Sequence, residues 1–93
     1  MGFQALQGPK TGDIYHIGRL LSVNPDTVSL IRFSDPDTIT WTRYINMKLS
    51  YRSFCIDPNE TFIYSIEFST STTYTLIHGF HTNDGSIGMS KRI

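Results

Sequence analysis

Short apolar and β-branched runs, broken at regular intervals, dominate the sequence. Thr38-Ile39-Thr40-Trp41-Thr42-Arg43-Tyr44 alternates polar and apolar positions with period two, the mark of a strand with one covered face. Asp13 to Ile17, Thr27 to Phe33, Lys48 to Ile56, Thr61 to Phe68, Thr73 to Ile77 and Ser86 to Arg92 are rich in residues that fit a pleated surface. Between them lie Asn24-Pro25-Asp26, Ser34-Asp35-Pro36-Asp37, Asp57-Pro58-Asn59 and Asn83-Asp84-Gly85, residue types that preset or tolerate turn dihedrals. No window places apolar residues at i, i+3, i+4 and i+7 behind a capping box, so helices are not expected. Strands at roughly ten-residue spacing predict an all-β fold.

The pattern returns once along the chain. Ile14-Tyr15-His16-Ile17 recurs as Ile63-Tyr64-Ser65-Ile66, and Pro9 matches Pro58 at the same spacing. Thr27-Val28-Ser29-Leu30-Ile31 recurs as Thr73-Tyr74-Thr75-Leu76-Ile77, and Thr38 to Arg43 as Ser86 to Lys91. By this alignment Phe3 to Gln7 corresponds to Arg52 to Ile56. A period of roughly 40–50 residues carrying about four strands is the mark of a propeller blade.

Gly12-Asp13-Ile14-Tyr15, Gly18, Leu30-Ile31-Arg32, Asp35-Pro36-Asp37, Ile39 and Trp41 together resemble a β-propeller repeat of the form G-N-I-Y-x-x-G…F-x-x-K-x-x-x-D-G-x-x-x-W. The second copy is similar through Ile63-Tyr64, Leu76-Ile77 and Asn83-Asp84-Gly85-Ser86-Ile87, but has Thr61 for the first glycine and Met89 for the tryptophan. The resemblance spans about residues 3–92. It implies two four-stranded antiparallel propeller-type blades, completed by neighbouring chains or forming part of a larger propeller. The expected organisation is one domain of two repeats, approximately residues 8–56 and 57–93. Residues 1–7, with Phe3, Ala5 and Leu6 as the assembly strand, would be an outer strand completing a neighbouring blade. Two blades fall short of the four to eight that typically close a ring. The expected partners are therefore copies of the chain, joined by strand exchange into a ring or a filament, or adjoining blades of a longer propeller.

Composition narrows the function classes. Eight Lys+Arg balance eight Asp+Glu, giving a formal net charge of zero. That argues against a phosphate-neutralising nucleic-acid surface and an electrostatic membrane anchor. No apolar run reaches the ~18–20 residues of a bilayer span. No charged-then-apolar leader is visible at the N-terminus. The abundant Ser and Thr, the low charge and the habit of the repeat family suggest an extracellular or cell-surface location.

Candidate chemistry is sparse. Tyr15 and Tyr64 recur at equivalent places. They suit packing between sheets, or alternatively a repeated sugar-stacking platform in a carbohydrate-binding propeller. Trp41 matches the structural tryptophan of the repeat. Asn59-Glu60-Thr61 is an N-glycosylation sequon in an expected turn, and Ser69-Thr70-Ser71-Thr72-Thr73 would suit O-linked sugar or a solvated loop. His78 and His81 lack the further ligands a metal site needs, and His16 is expected on a half-exposed strand face. Asp35, Asp37, Asn83 and Asp84 read as turn formers more readily than as a calcium loop. Cys55, the single cysteine, is expected as a buried apolar thiol. Glu60 and Glu67 are the only glutamates, and sequence does not give the separation that a catalytic carboxylate pair requires. No G-x-S-x-G, H-E-x-x-H or glycine-rich phosphate loop occurs. Neither an enzyme nor a cofactor is expected.

Overall fold

The computed structural model describes residues 3–19, 27–35, 38–46, 52–68 and 75–92. These form β1 (Phe3–Gln7), β2 (Ile14–Arg19), β3 (Thr27–Asp35), β4 (Thr38–Asn46), β5 (Arg52–Ile56), β6 (Phe62–Phe68), β7 (Thr75–His81) and β8 (Ile87–Arg92), with no helix among the described residues. The strands make two four-stranded antiparallel meanders, ordered β1-β2-β3-β4 and β5-β6-β7-β8. The expected turn at Asn24-Pro25-Asp26, residues 36–37, the strand residues expected at 48–51 and the Ser69–Thr73 run lie outside the described residues.

The strand phase differs from the one the repeat suggested. Within the chain, β1 pairs with β2, from Phe3 opposite Gly18 to Gln7 opposite Ile14. The cause is the tight connection between them, where the Gly8 amide donates to the Asp13 carbonyl at 2.7 Å and the Gly12 amide to the Gly8 carbonyl at 3.0 Å. Gly12 has φ +77°, a left-handed conformation natural to glycine. The two units are therefore residues 3–46 and 52–92, each a whole meander. Ala5 is exposed, and Leu6 is half-buried and packs on the core.

The ladders also correct the alignment of β3 with β7. Ile17 pairs with Leu30, and its counterpart Ile66 pairs with Ile77. Leu30 thus corresponds to Ile77, one residue beyond the match suggested by Thr-x-x-Leu-Ile. In a pleated strand a one-residue slip exchanges the two faces, so this register decides which side chains are equivalent. Elsewhere the repeat holds in detail. Phe33 faces Ile39 and Phe80 faces Ile87, and both ladders then skip one residue, Thr40 or Gly88, before Arg32–Trp41 and Gly79–Met89.

The sheets do not pack through equivalent faces. One face of the first sheet carries Tyr15, Ile17, Val28 and Leu30, with Trp41 and Ile45 beside them. It packs on the Phe54, Ile63 and Phe80 face of the second to make a single core. In repeat terms, the front of the first sheet meets the back of the second. β1 and β5 lie side by side at this junction, where the Gln4 side-chain amide donates to the Phe54 carbonyl at 3.1 Å.

Candidate functional site

Among the described residues, a polar cluster lies between the two sheets and is centred on Glu60. Asp57 starts the turn that presents it. Its Oδ1 accepts the Thr61 and Phe62 amides at 2.7 Å each, and the amides of Phe62, Thr61 and Asn59 hold its carboxyl below the ordinary range. Glu60 then takes φ 57°, a left-handed conformation unfavourable for a residue with a Cβ. That conformation turns its side chain under the first sheet, where Glu60 is only 8% exposed.

The first sheet surrounds the carboxylate with donors. Oε1 accepts the amides of Lys10 and Thr11 at 2.9 Å each. Oε2 accepts the hydroxyls of Thr11 and Tyr15 at 2.6 Å each. Burial pushes against the charged form, but the hydrogen bonds from Thr11, Tyr15 and Lys10 outweigh it and hold the carboxyl at about 2. Gly8 closes the pocket, since a Cβ there would collide with the Glu60 carboxyl group.

Arg32 forms the second layer. Its Nε and Nη2 both reach Asp13 Oδ2 at 2.8 Å, its Nη1 donates to the Thr82 carbonyl at 2.7 Å, and Nη2 lies 3.6 Å from Glu60 Oε2. The guanidinium carbon sits 5.1 Å from the centre of the Tyr15 ring. Trp41 Nε1 donates to the same Thr82 carbonyl at 2.9 Å, and its ring lies tilted at 6.4 Å from that of Tyr15. The Thr82 hydroxyl donates back to the Glu60 carbonyl at 2.5 Å. The β7–β8 turn is drawn in as well. Arg43 Nε donates to the Asp84 carbonyl at 2.8 Å, and a Cβ on Gly85 would lie 2.6 Å from both Trp41 and Arg43.

Every buried polar side-chain atom among the described residues has a partner. The cluster therefore satisfies itself: the Glu60 carboxylate and the Thr82 carbonyl take their donors from the first sheet, and Asp13 takes Arg32 from within its own sheet. Such a site clamps one sheet on the other, with Glu60 committed as an acceptor. No family model, no curated protein and no solved structure matches this chain.

The residues singled out from sequence separate into distinct places. Tyr15 is fully buried in the clamp, its ring covered by Arg32 and Trp41, so it offers no face to a ligand in this chain. Tyr64 lies half-buried on the opposite, outward face of the second sheet, beside Phe62 at 5.8 Å. Asn59 is exposed in the β5–β6 turn. Cys55 is exposed, which corrects the expectation of a buried thiol. It alternates with buried Phe54 on β5 and so faces away from the first sheet. His78 Nδ1 lies 2.7 Å from Ser90 Oγ, and no group of three metal-ligating side chains occurs among the described residues. Asp84 Oδ1 accepts the Ser86 amide and hydroxyl, a turn-forming arrangement.

Sequence reasoning missed Glu60, Arg32, Asp13 and Thr82 as one cluster. The signal was present as mismatches between the copies. Glu60 stands where the first copy has Thr11, and the ladders place Gly79 and Met89 where the first copy has Arg32 and Trp41.

Proposed function

We propose that this chain is a structural, self-assembling unit of two propeller-type blades, which joins further copies of itself into a ring or filament. One observation carries this reading. Equivalent apolar surfaces are buried at the junction inside the chain and left open at its two ends: Ile63 is 0% exposed while its counterpart Ile14 is 39% exposed. Support for the blade assignment comes from the paired four-stranded meanders, the side-by-side β1 and β5, and the sequence resemblance of the Gly12-to-Trp41 segment. The Glu60 cluster is a clamp, which suits a scaffold better than a catalyst. Subunits joined through sheet faces do not need the strand exchange suggested by sequence, because each sheet already holds four strands. The test is the native mass by light scattering. A multiple of the 10.6 kDa chain mass is expected, and a single-chain particle at every concentration would overturn the proposal.

A further inference from the structure

Resting on that reading, we infer that copies associate head to tail through an apolar junction, in which the front of one chain's second sheet covers the back of the next chain's first sheet. The junction inside the chain is the template. There the back of the second sheet, with Ile63, Ser65 and Phe80 all 0% exposed, covers the front of the first, where Tyr15 and Ile17 are also 0% exposed.

Both halves of this junction recur with no facing sheet among the described residues. The ladders put Ile14, His16 and Phe33 on the back of the first sheet at the places of Ile63, Ser65 and Phe80. They put Tyr64, Ile66 and Ile77 on the front of the second sheet at the places of Tyr15, Ile17 and Leu30. These open surfaces carry apolar side chains that are half-buried or exposed in the single chain. A negative control lies within the same ladders. Ile87 remains 57% exposed beside the internal junction, and its counterpart Ile39 is 55% exposed, so this position lies outside the covered area in both halves.

The occupant is a second copy because the two open faces are the counterparts of two faces that already fit each other. The surfaces are different ones, so the contact is heterologous and propagates until it closes or continues as a fibre. Its chemistry differs from the internal clamp. Thr11 stands in for Glu60, Gly79 for Arg32 and Met89 for Trp41, and the side chain of Met89 lies over Gly79, within 2.8 Å of where a Cβ would stand. At these three places the junction between copies therefore carries neither a carboxylate nor a guanidinium, and its described side chains favour apolar contact. Exposed Cys55 occupies the place of Leu6, which packs against the core. A seated copy would cover it.

Two variants test this. Ile14→Glu blocks the back face, and Ile77→Glu, opposite Lys91 in its ladder, blocks the front. Each variant alone is expected to be a folded single chain by light scattering and circular dichroism. An equimolar mixture is expected to form a two-chain particle that grows no further, since each variant supplies the face the other has lost. Cys55 in assembled wild type is expected to react with a maleimide at least tenfold more slowly than in Ile14→Glu, a readout that needs no substitution on the thiol's own face. If wild type assembles while either variant assembles as well, or the mixture stays single, or Cys55 reacts equally fast in both, the head-to-tail junction is wrong and the proposed function stands. A wild-type chain that never assembles overturns both.

Discussion

The Tyr15 hydroxyl donates to Glu60 Oε2 at 2.6 Å across the junction between the two sheets, and it shares that oxygen with the Thr11 hydroxyl. Tyr15 contributes twice to the junction, through its buried ring and through this bond. Tyr15→Phe separates the two. The ring keeps its place beside Trp41 and Arg32, and Oε2 keeps only Thr11 as a short neutral donor. A hydrogen bond to a charged acceptor contributes about 1.5–3 kcal/mol, so the variant is expected to lose about 2 kcal/mol in denaturant unfolding with an unchanged m-value. A loss below about 0.5 kcal/mol would show that the hydroxyl is dispensable to the clamp.

Acid should release the clamp. Glu60 is held at about 2 against an ordinary value of 4.5, so below pH 4.5 the unfolded chain binds the proton more tightly than the folded one. The stabilisation is fully present above pH 4.5 and is lost as pH falls toward 2, by at most about 3 kcal/mol. Half-buried Asp57 and exposed Asp84 are lowered in the same direction by hydrogen bonds within their own turns, so they add a slope that Glu60→Gln retains. Thermal melts of wild type from pH 6 to 2 should therefore fall steeply. Those of Glu60→Gln should start lower and fall much less. Parallel curves would mean that Glu60 is not the titrating group.

Much of the strand inventory was legible because Asp-Pro and Asn-Asp-Gly clusters punctuate β-rich runs, and backbone sterics act locally. The repeat was legible for the same reason, since Ile14-Tyr15 and Ile63-Tyr64 face similar demands. The phase was not. Alternation in Phe3–Gln7 shows that it is a strand, but its partner depends on the Gly8–Gly12 turn, whose two glycines do different jobs. The face of β7 was misread because Thr-x-x-Leu-Ile outweighed register, and only the ladder opposite β6 shows the slip. Glu60 was illegible as a clamp because its donors Lys10, Thr11 and Tyr15 lie in the other copy, and a left-handed φ at a glutamate has no sequence signature.

The division of labour between Gly8 and Gly12 gives a third expectation. Gly12 has positive φ, yet a Cβ there would meet only the Gln7 side chain at 3.9 Å. Gly12→Ala should therefore cost about 1–2 kcal/mol from backbone strain alone, and leave the Glu60 environment intact. At Gly8 a Cβ would collide with the Glu60 carboxyl group, and that group is pinned by four donors. Gly8→Ala should thus disturb the clamp itself, and flatten the acid transition as Glu60→Gln does. The check is the slope of stability against pH in the two alanine variants. A steep wild-type slope in Gly8→Ala would show that the turn yields without moving Glu60.

Arg32 links the β5–β6 and β7–β8 turns of the second sheet to the first, so its loss should be felt beyond one bond. Arg32→Met keeps an apolar stem near the Tyr15 ring but removes every donor, leaving Asp13 and the Thr82 carbonyl short of partners. Removing one member of a buried ion pair typically costs about 3–5 kcal/mol; with Arg32 and Asp13 side chains 14% and 11% exposed, about 2–4 kcal/mol is expected. Most of that cost is the stranded Asp13 charge, so Asp13→Asn in the Arg32→Met background should recover about 1–2 kcal/mol. The double-mutant cycle from chemical denaturation measures this coupling. Strictly additive losses would mean that Arg32 acts through Thr82 and Tyr15, and that its pairing with Asp13 contributes little to holding the sheets together.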